Sequence, residues 1–249
     1  MKNISITVFT CFLALAFNAQ ELYFELRPDH QTPVKKKELE RAGLLKEITP
    51  GYPQNWMDEY VSVEILVTSK GRMNKALSKN DVLTGDQKNL LKTADLWSTV
   101  SIDVKYKTRN AATGKTDLRN MNYVVTVVPD VEASFKGGDA KLNEYIKQSG
   151  IKKVAGTFPP TEVIPASTFS LNDQGDAFTY VRHSTVIKFT VNEKGETEDV
   201  RVITSCGDPA IDEVLYNAIV NMPKWTPAQS AGMNVKQDFL FSVGDQGGC

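Results

Sequence analysis

The chain has 249 residues, 41% hydrophobic and 24% charged, a composition that excludes a disordered or low-complexity polymer and leaves room for one large or two ordinary domains. Lys and Arg number 29 against 30 Asp and Glu, a net charge of −1, so no basic surplus points to nucleic acid. Two histidines and three cysteines are too few and too scattered for a metal motif, so no metal or other cofactor is expected.

Lys2 opens a short basic start. The apolar run from Ile4 to Phe17 then ends in Asn18-Ala19-Gln20, the layout of a secretory signal cleaved near Gln20. The run is short for a bilayer span, which needs about 20 apolar residues. Residues 1–20 are therefore expected to be a signal peptide, and the rest a periplasmic protein that meets membranes only through its partners. Its loss leaves 28 basic against 30 acidic residues, a net charge of −2.

Residues 21–58 form a polar N-terminal segment punctuated by Pro28, Pro33, Pro50 and Pro53. Thr32-Pro33 there is expected to open a helix through about Ile48, with Leu39, Leu44, Leu45 and Ile48 as its apolar residues. From Tyr60 the pattern sharpens. Val61, Val63, Ile65 and Val67 alternate with polar neighbours as in a half-buried strand, followed by a turn at Ser69-Lys70-Gly71. Thr84 with Gln87 three residues on is a capping box, and Leu90, Leu91 and Ala94 follow at helical spacing. Val100, Ile102, Val104 and Tyr106, then Tyr123, Val125 and Val127, read as two further strands. Thr113-Gly114-Lys115-Thr116 between them lacks the first glycine of a phosphate loop, since Arg109 stands there, and reads as a turn.

The last third repeats this order. Ile187, Phe189 and Val191 alternate in a strand, Asn192 to Gly195 turn, and Val200 and Val202 return. Asp208 is an N-cap with Pro209 at the first helical position, and Ile211, Leu215, Ile219 and Met222 form one apolar stripe. Val235, Phe239, Phe241 and Val243 share a face of a final strand in which Gln237 is the polar exception. At an offset of 124 residues Gly71 falls on Gly195, Thr84 on Asp208, and Val63, Ile65, Val67, Leu91 and Ala94 on Ile187, Phe189, Val191, Leu215 and Ala218. The expected fold class is α+β, with two tandem αββαβ-like modules at 59–130 and 184–249. A helix and connector at 131–183 would join them.

Val191-Asn-Glu-Lys-Gly195, Asp199-Val-Arg-Val202, Asp208-Pro-Ala-Ile211 and Met222-Pro-Lys-Trp225-Thr-Pro227 resemble the C-terminal domain of TonB-family proteins. Phe135-Lys136-Gly137-Gly138 with Leu142, Tyr145 and Ile146 is similar to the aromatic-x-Gly-Gly helix that often precedes that domain. Lys136 stands where that helix usually has Pro, and the long segment from Gly150 to Arg182 replaces a short connector. The resemblance implies a binding domain that grips an extended segment of an outer-membrane TonB-dependent transporter, or of another envelope protein. It also implies that the last strand is the pairing edge, which selects Val235, Lys236, Gln237, Asp238, Phe239 and Leu240 as partner-binding residues and Trp225, Gly195 and Asp208 as structural ones. Ser78 to Leu91, with its Asn80, Leu83, Thr84 and Gln87-Lys88, is similar to periplasmic components of gliding and type IX secretion machinery. A structural subunit of such an assembly is the alternative function, and a homodimer is among the expected assemblies.

No Ser, Cys or His stands in a nucleophile motif, so the chain does not read as an enzyme. Export leaves Cys206 and Cys249 as its two cysteines in an oxidising compartment, and a disulfide between them is expected. Thiol titration of the unfolded, unreduced mature chain should then find no free thiol. Two reactive thiols would show that the bridge is absent.

Overall fold

The computed structural model describes residues 22–69, 71–159, 162–165, 178–181 and 183–245. In chain order these form β1 (Leu22–Pro28), β2 (Pro33–Lys35), α1 (Lys36–Arg41), β3 (Glu59–Ser69), β4 (Arg72–Ser78), α2 (Gly85–Lys92), β5 (Thr99–Arg109) and β6 (Thr116–Val128). There follow β7 (Ser134–Phe135), α3 (Gly138–Ile146), α4 (Lys152–Val154), β8 (Glu162–Pro165), β9 (Phe178–Val181), β10 (Ser184–Val191), β11 (Thr197–Thr204) and α5 (Pro209–Val220). Short strands β12 (Trp225–Thr226), β13 (Ala228–Ser230) and β14 (Met233–Val235) lead into β15 (Gln237–Asp245). The fold is mixed α+β, as its sequence pattern predicts, with strand the larger share.

Two sheets each bury one face. The first has the order β2-β6-β5-β3-β4, and the second β1-β15-β10-β11. Period-two alternation puts Val63, Ile65 and Val67 on the inner face of the first, where they face Val104, Ile102 and Val100 in register and pack with Leu91 of α2. In the second, Ile187, Phe189 and Val191 face Phe241, Phe239 and Gln237 and pack with Ile211, Leu215 and Ile219 of α5. Fully burying such a side chain gains roughly 1.5–3 kcal/mol, so these rows fix which face each helix covers.

Both helix starts form as the sequence directs. The Thr84 hydroxyl accepts from the Gln87 backbone N–H at 3.3 Å while Thr84 N donates to Gln87 Oε1 at 3.0 Å. The Asp208 carboxylate accepts from Ala210 N at 2.8 Å, with Pro209 opening α5. Thr113 to Thr116 lie in or beside the β5–β6 turn, with Gly114 N donating to Asn110 O at 2.8 Å.

One expectation about the N-terminal segment fails. The helix expected from Thr32 to Ile48 is broken up: Pro33–Lys35 pairs in parallel with Thr126–Val128 as β2, α1 spans only six residues, and Ala42 is extended with ψ 133°. Leu39, Leu45 and Ile48 are nonetheless buried in the first core. The segment also does not stand apart from the modules. β1 pairs antiparallel with β15 from Leu22–Asp245 to Pro28–Phe239, and Leu22 joins the second core, so 22–35 passes from one sheet into the other.

Gly71 and Gly195 both sit in the left-handed region, at φ 73° and 78°, in the turns after β3 and β10. A Cβ on Gly71 meets nothing within 4 Å, whereas one on Gly195 falls 2.0 Å from the Trp225 carbonyl oxygen. Gly71→Ala should therefore cost only the left-handed penalty of about 1–2 kcal/mol. Gly195→Ala should cost clearly more, by about 1 kcal/mol or above, because it also disrupts the 2.8 Å bond from Trp225 N to Gly195 O. Chemical denaturation of the two variants beside the parent checks the difference.

Candidate functional site

The six residues expected to bind a partner occupy the last strand and its approach, and each has a defined environment. Val235 ends β14 opposite Ala228 and is half-buried against the second core. Lys236 is exposed and pairs with Glu198 at 2.5 Å. Gln237 is fully buried opposite Val191; its Oε1 accepts from Ala133 N at 2.7 Å. Asp238, opposite Thr190, accepts from the Thr190 hydroxyl at 2.7 Å and from Lys188 Nζ at 2.8 Å. Phe239 is buried and stacks on Phe189, ring centroids 5.5 Å apart and nearly parallel at 16°. Leu240 is half-buried between Arg27 and Lys188.

These residues do not line an open edge. β15 is flanked from Gln237 to Gly244 by β10 and from Phe239 to Asp245 by β1, and Asp29 N reaches the Asp238 carbonyl at 2.9 Å. The reason lies in β1 itself. Leu22, Phe24 and Leu26 alternate with Tyr23, Glu25 and Arg27, so a half-buried strand is written into the segment, and Phe24 packs on Phe241 at 6.4 Å. That alternation is the signal by which sequence reading could have found the strand. Among the described residues, the outer sides of β1 and β11 in the second sheet and of β2 and β4 in the first have no strand partner. β11 carries two register irregularities against β10 and a left-handed Asp199 at φ 51°, both features that blunt an edge.

Beside the paired strand lies a cleft of about 690 Å³ lined by Trp97 of the turn before β5, by Thr126 of the first sheet and by Lys188, Thr190, Arg201 and Asp238 of the second. Its centre is Lys188, which bridges Asp29 at 2.6 Å and Asp238 at 2.8 Å. Burial pushes the Asp238 carboxyl up, but hydrogen bonds from Lys188 and Thr190 and the charges of Lys188 and Arg201 outweigh it and hold the group below its ordinary value. Burial likewise works against the Lys188 charge, and the bonds to Asp238 and Asp29 outweigh it, raising the ammonium above its usual range. At the link from β1 to β2, His30 stacks over Trp97 at 6.4 Å and its Nε2 lies 3.2 Å from Glu132 Oε1.

Of the three residues expected to be structural, Gly195 lies in the turn after β10, Asp208 caps α5 and Trp225 opens β12. Trp225 is buried among Phe135, Phe189 and Phe239 at centroid distances of 5.5, 6.2 and 5.0 Å. That aromatic cluster closes the core and leaves no ligand platform at this residue. Cys206 is buried, its Sγ 3.8 Å from Asp212 Oδ1; Cys249 lies outside the described residues, as does the expected signal at 1–20. Among the described residues no group of three or more His, Cys, Asp or Glu is placed to hold a metal, and no helix is long and apolar enough to cross a membrane. No protein-family model, curated protein or solved structure matches the chain.

The Lys188 bridge sets a pH dependence. The folded Asp238 carboxyl titrates below its unfolded value, so its contribution to stability is fully present above about pH 4 and is lost as pH falls through the folded value. Asp238→Asn should flatten that acid loss. Lys188→Met should destabilise the chain more at pH 7, where it strands two carboxylates, than at pH 3. Denaturation midpoints across pH 2.5–7 measure both.

Proposed function

We propose that the chain is a periplasmic binding protein of the TonB C-terminal-domain type, exported by its N-terminal signal. It engages an extended segment of an outer-membrane transporter or another envelope protein by β-strand addition, in support of TonB-linked transport. It works as a binding module and not as an enzyme.

The observation that carries this reading is the pairing of β15 with β1, a strand drawn from the opposite end of the chain. The side of β15 away from β10 accepts an extended segment whose alternate residues are apolar, which is the demand that strand addition makes of a partner. In this reading a partner strand takes the place of β1, and the alternate side chains Lys236, Asp238 and Leu240, on the face away from Phe239 and Phe241, help set its register.

We also read the two sheets as tandem copies of one αββαβ module. Support comes from the strand orders: β4-β3-β5-β6 in the first corresponds to β11-β10-β15-β1 in the second, with α2 and α5 beginning 124 residues apart. On that correspondence β1 holds the place that β6 holds in the first copy. The occupied edge also favours a second reading, a structural subunit of an envelope, secretion or gliding assembly, because the docked β1 leaves that side of β15 closed.

Binding of a labelled peptide from the periplasmic N-terminal segment of a TonB-dependent transporter discriminates the two. A chain beginning at Asp29 should bind it at least about tenfold more tightly than the chain that keeps β1, since affinity scales with the fraction of sites left open. If neither binds while both stay folded by circular dichroism, the structural reading replaces the binding one.

A further inference from the structure

β1 is held in place by contacts with β15, with Lys188 of β10 and with the second core. These are seven residue pairs in antiparallel register, Leu22 in the core, Phe24 against Phe241, and Asp29 bonded to Lys188 and to the Asp238 carbonyl. None of them requires that β1 and β15 come from the same molecule. What brings β1 to its own β15 is the four-residue link 29–32, because β2 follows at once and is fixed in the other sheet against β6.

That link turns at an unfavourable residue. Thr32 stands at φ 45°, and it is β-branched, a residue type for which positive φ is a genuine outlier. It also precedes Pro33, whose ring disfavours helical backbone at the residue before it and favours extended conformations. The turn is held by Thr126 N donating to the Thr32 carbonyl at 3.1 Å and by His30 packed between Trp97 and Glu132.

We infer that the β15 edge is an interface for a second copy of this chain, in which residues 22–29 of each molecule dock on β15 of the other. The exchange keeps every β1–β15 contact and changes only the link, which runs on in the extended form that Thr32-Pro33 favours. Reciprocal exchange closes a two-fold pair and leaves no strand over. In the monomer, the short link supplies β1 to its own edge at an effective concentration on the order of millimolar, so single molecules prevail when dilute. This inference rests on the β1–β15 pairing and the link, and stands whether or not a transporter segment binds.

The test is a cross-link between Glu25 and Ser242, which are paired residues whose Cα spacing in an antiparallel ladder suits a disulfide. Glu25→Cys and Ser242→Cys are combined in a chain whose Cys11 and Cys249 are replaced by Ser, refolded at low and at high concentration, oxidised, and run unreduced on a denaturing gel. Exchange predicts a dimer-length band that grows with concentration at the expense of the monomer-length one. Thr32→Gly, which takes positive φ without strain, should raise the concentration needed for dimer by about tenfold or more. Deleting His30 and Gln31 leaves a link too short to turn back and should give dimer at every concentration. If that variant does not fold, the parent and Thr32→Gly decide alone. A monomer-length cross-linked product at all concentrations in every folded variant overturns the inference, as does failure of residues 25 and 242 to cross-link at all.

Discussion

The pairing of β1 with β15 is the constraint from which the arrangement of the chain follows. It makes β15 an inner strand, supplies the fourth strand of the second sheet, and delivers Pro33 to β6 of the first sheet after a link of four residues. Its strength is limited by its own composition. Burying an apolar side chain gains roughly 1.5–3 kcal/mol, but only every second residue of β1 faces the core and, of these, only Leu22 is buried, the others being half-buried. Fixing the backbone of each residue costs about 1–2 kcal/mol, so gain and cost are of the same size along the strand. A strand balanced in this way docks because it is tethered close by, and it belongs to the low-stability end of the fold.

The second constraint is a polar residue in an apolar row. In the first sheet Val67 faces Val100; at the same place in the second, Val191 faces Gln237, fully buried. A buried amide without partners would cost on the order of 1–3 kcal/mol. Here its oxygen takes the Ala133 N–H, and its nitrogen lies 3.5 Å from Glu132 Oε2. Glu132 in turn meets His30, so the polar exception in β15 ties together the final strand, the connection leaving β6 and the link from β1.

Local rules were legible where they act over a few residues. The capping box at Thr84 and Gln87, the Asp208-Pro209 start, the glycine turns and the alternations around Ile65 and Phe189 depend on neighbours in sequence, and each forms as its pattern directs. The segment 22–48 was misread for two reasons. Leu39, Leu45 and Ile48 are spaced closely enough to suggest one helix, yet they reach the core from a short helix, a break at Ala42 and a single tight turn. Leu22, Phe24 and Leu26 carry a strand pattern, but nothing local says that its partner lies at the far end of the chain. The edge expected on β15 is covered by β1, and no local pattern announced that covering. An edge is a property of the whole sheet, and no alternation within β15 reports it.

The left-handed residues outside glycine point to the same junction. Of the four among the described residues, Trp97 and Asp199 line the cleft between the sheets, and Thr32 bonds Thr126 on the cleft wall; Ala231 alone lies in the separate β13–β14 turn. Each such backbone costs on the order of 1–3 kcal/mol and persists only where surrounding contacts overdetermine it. Trp97 N is held by the Val127 carbonyl at 2.7 Å, and Thr32 by Thr126 one residue earlier on the same strand. Three of the four thus lie at or beside the cleft between the sheets, Asp199 from within β11 itself. The end of β6 that restrains Thr32 and Trp97 is also the strand on which β2 pairs, and release of the link would relax the junction without disturbing either core.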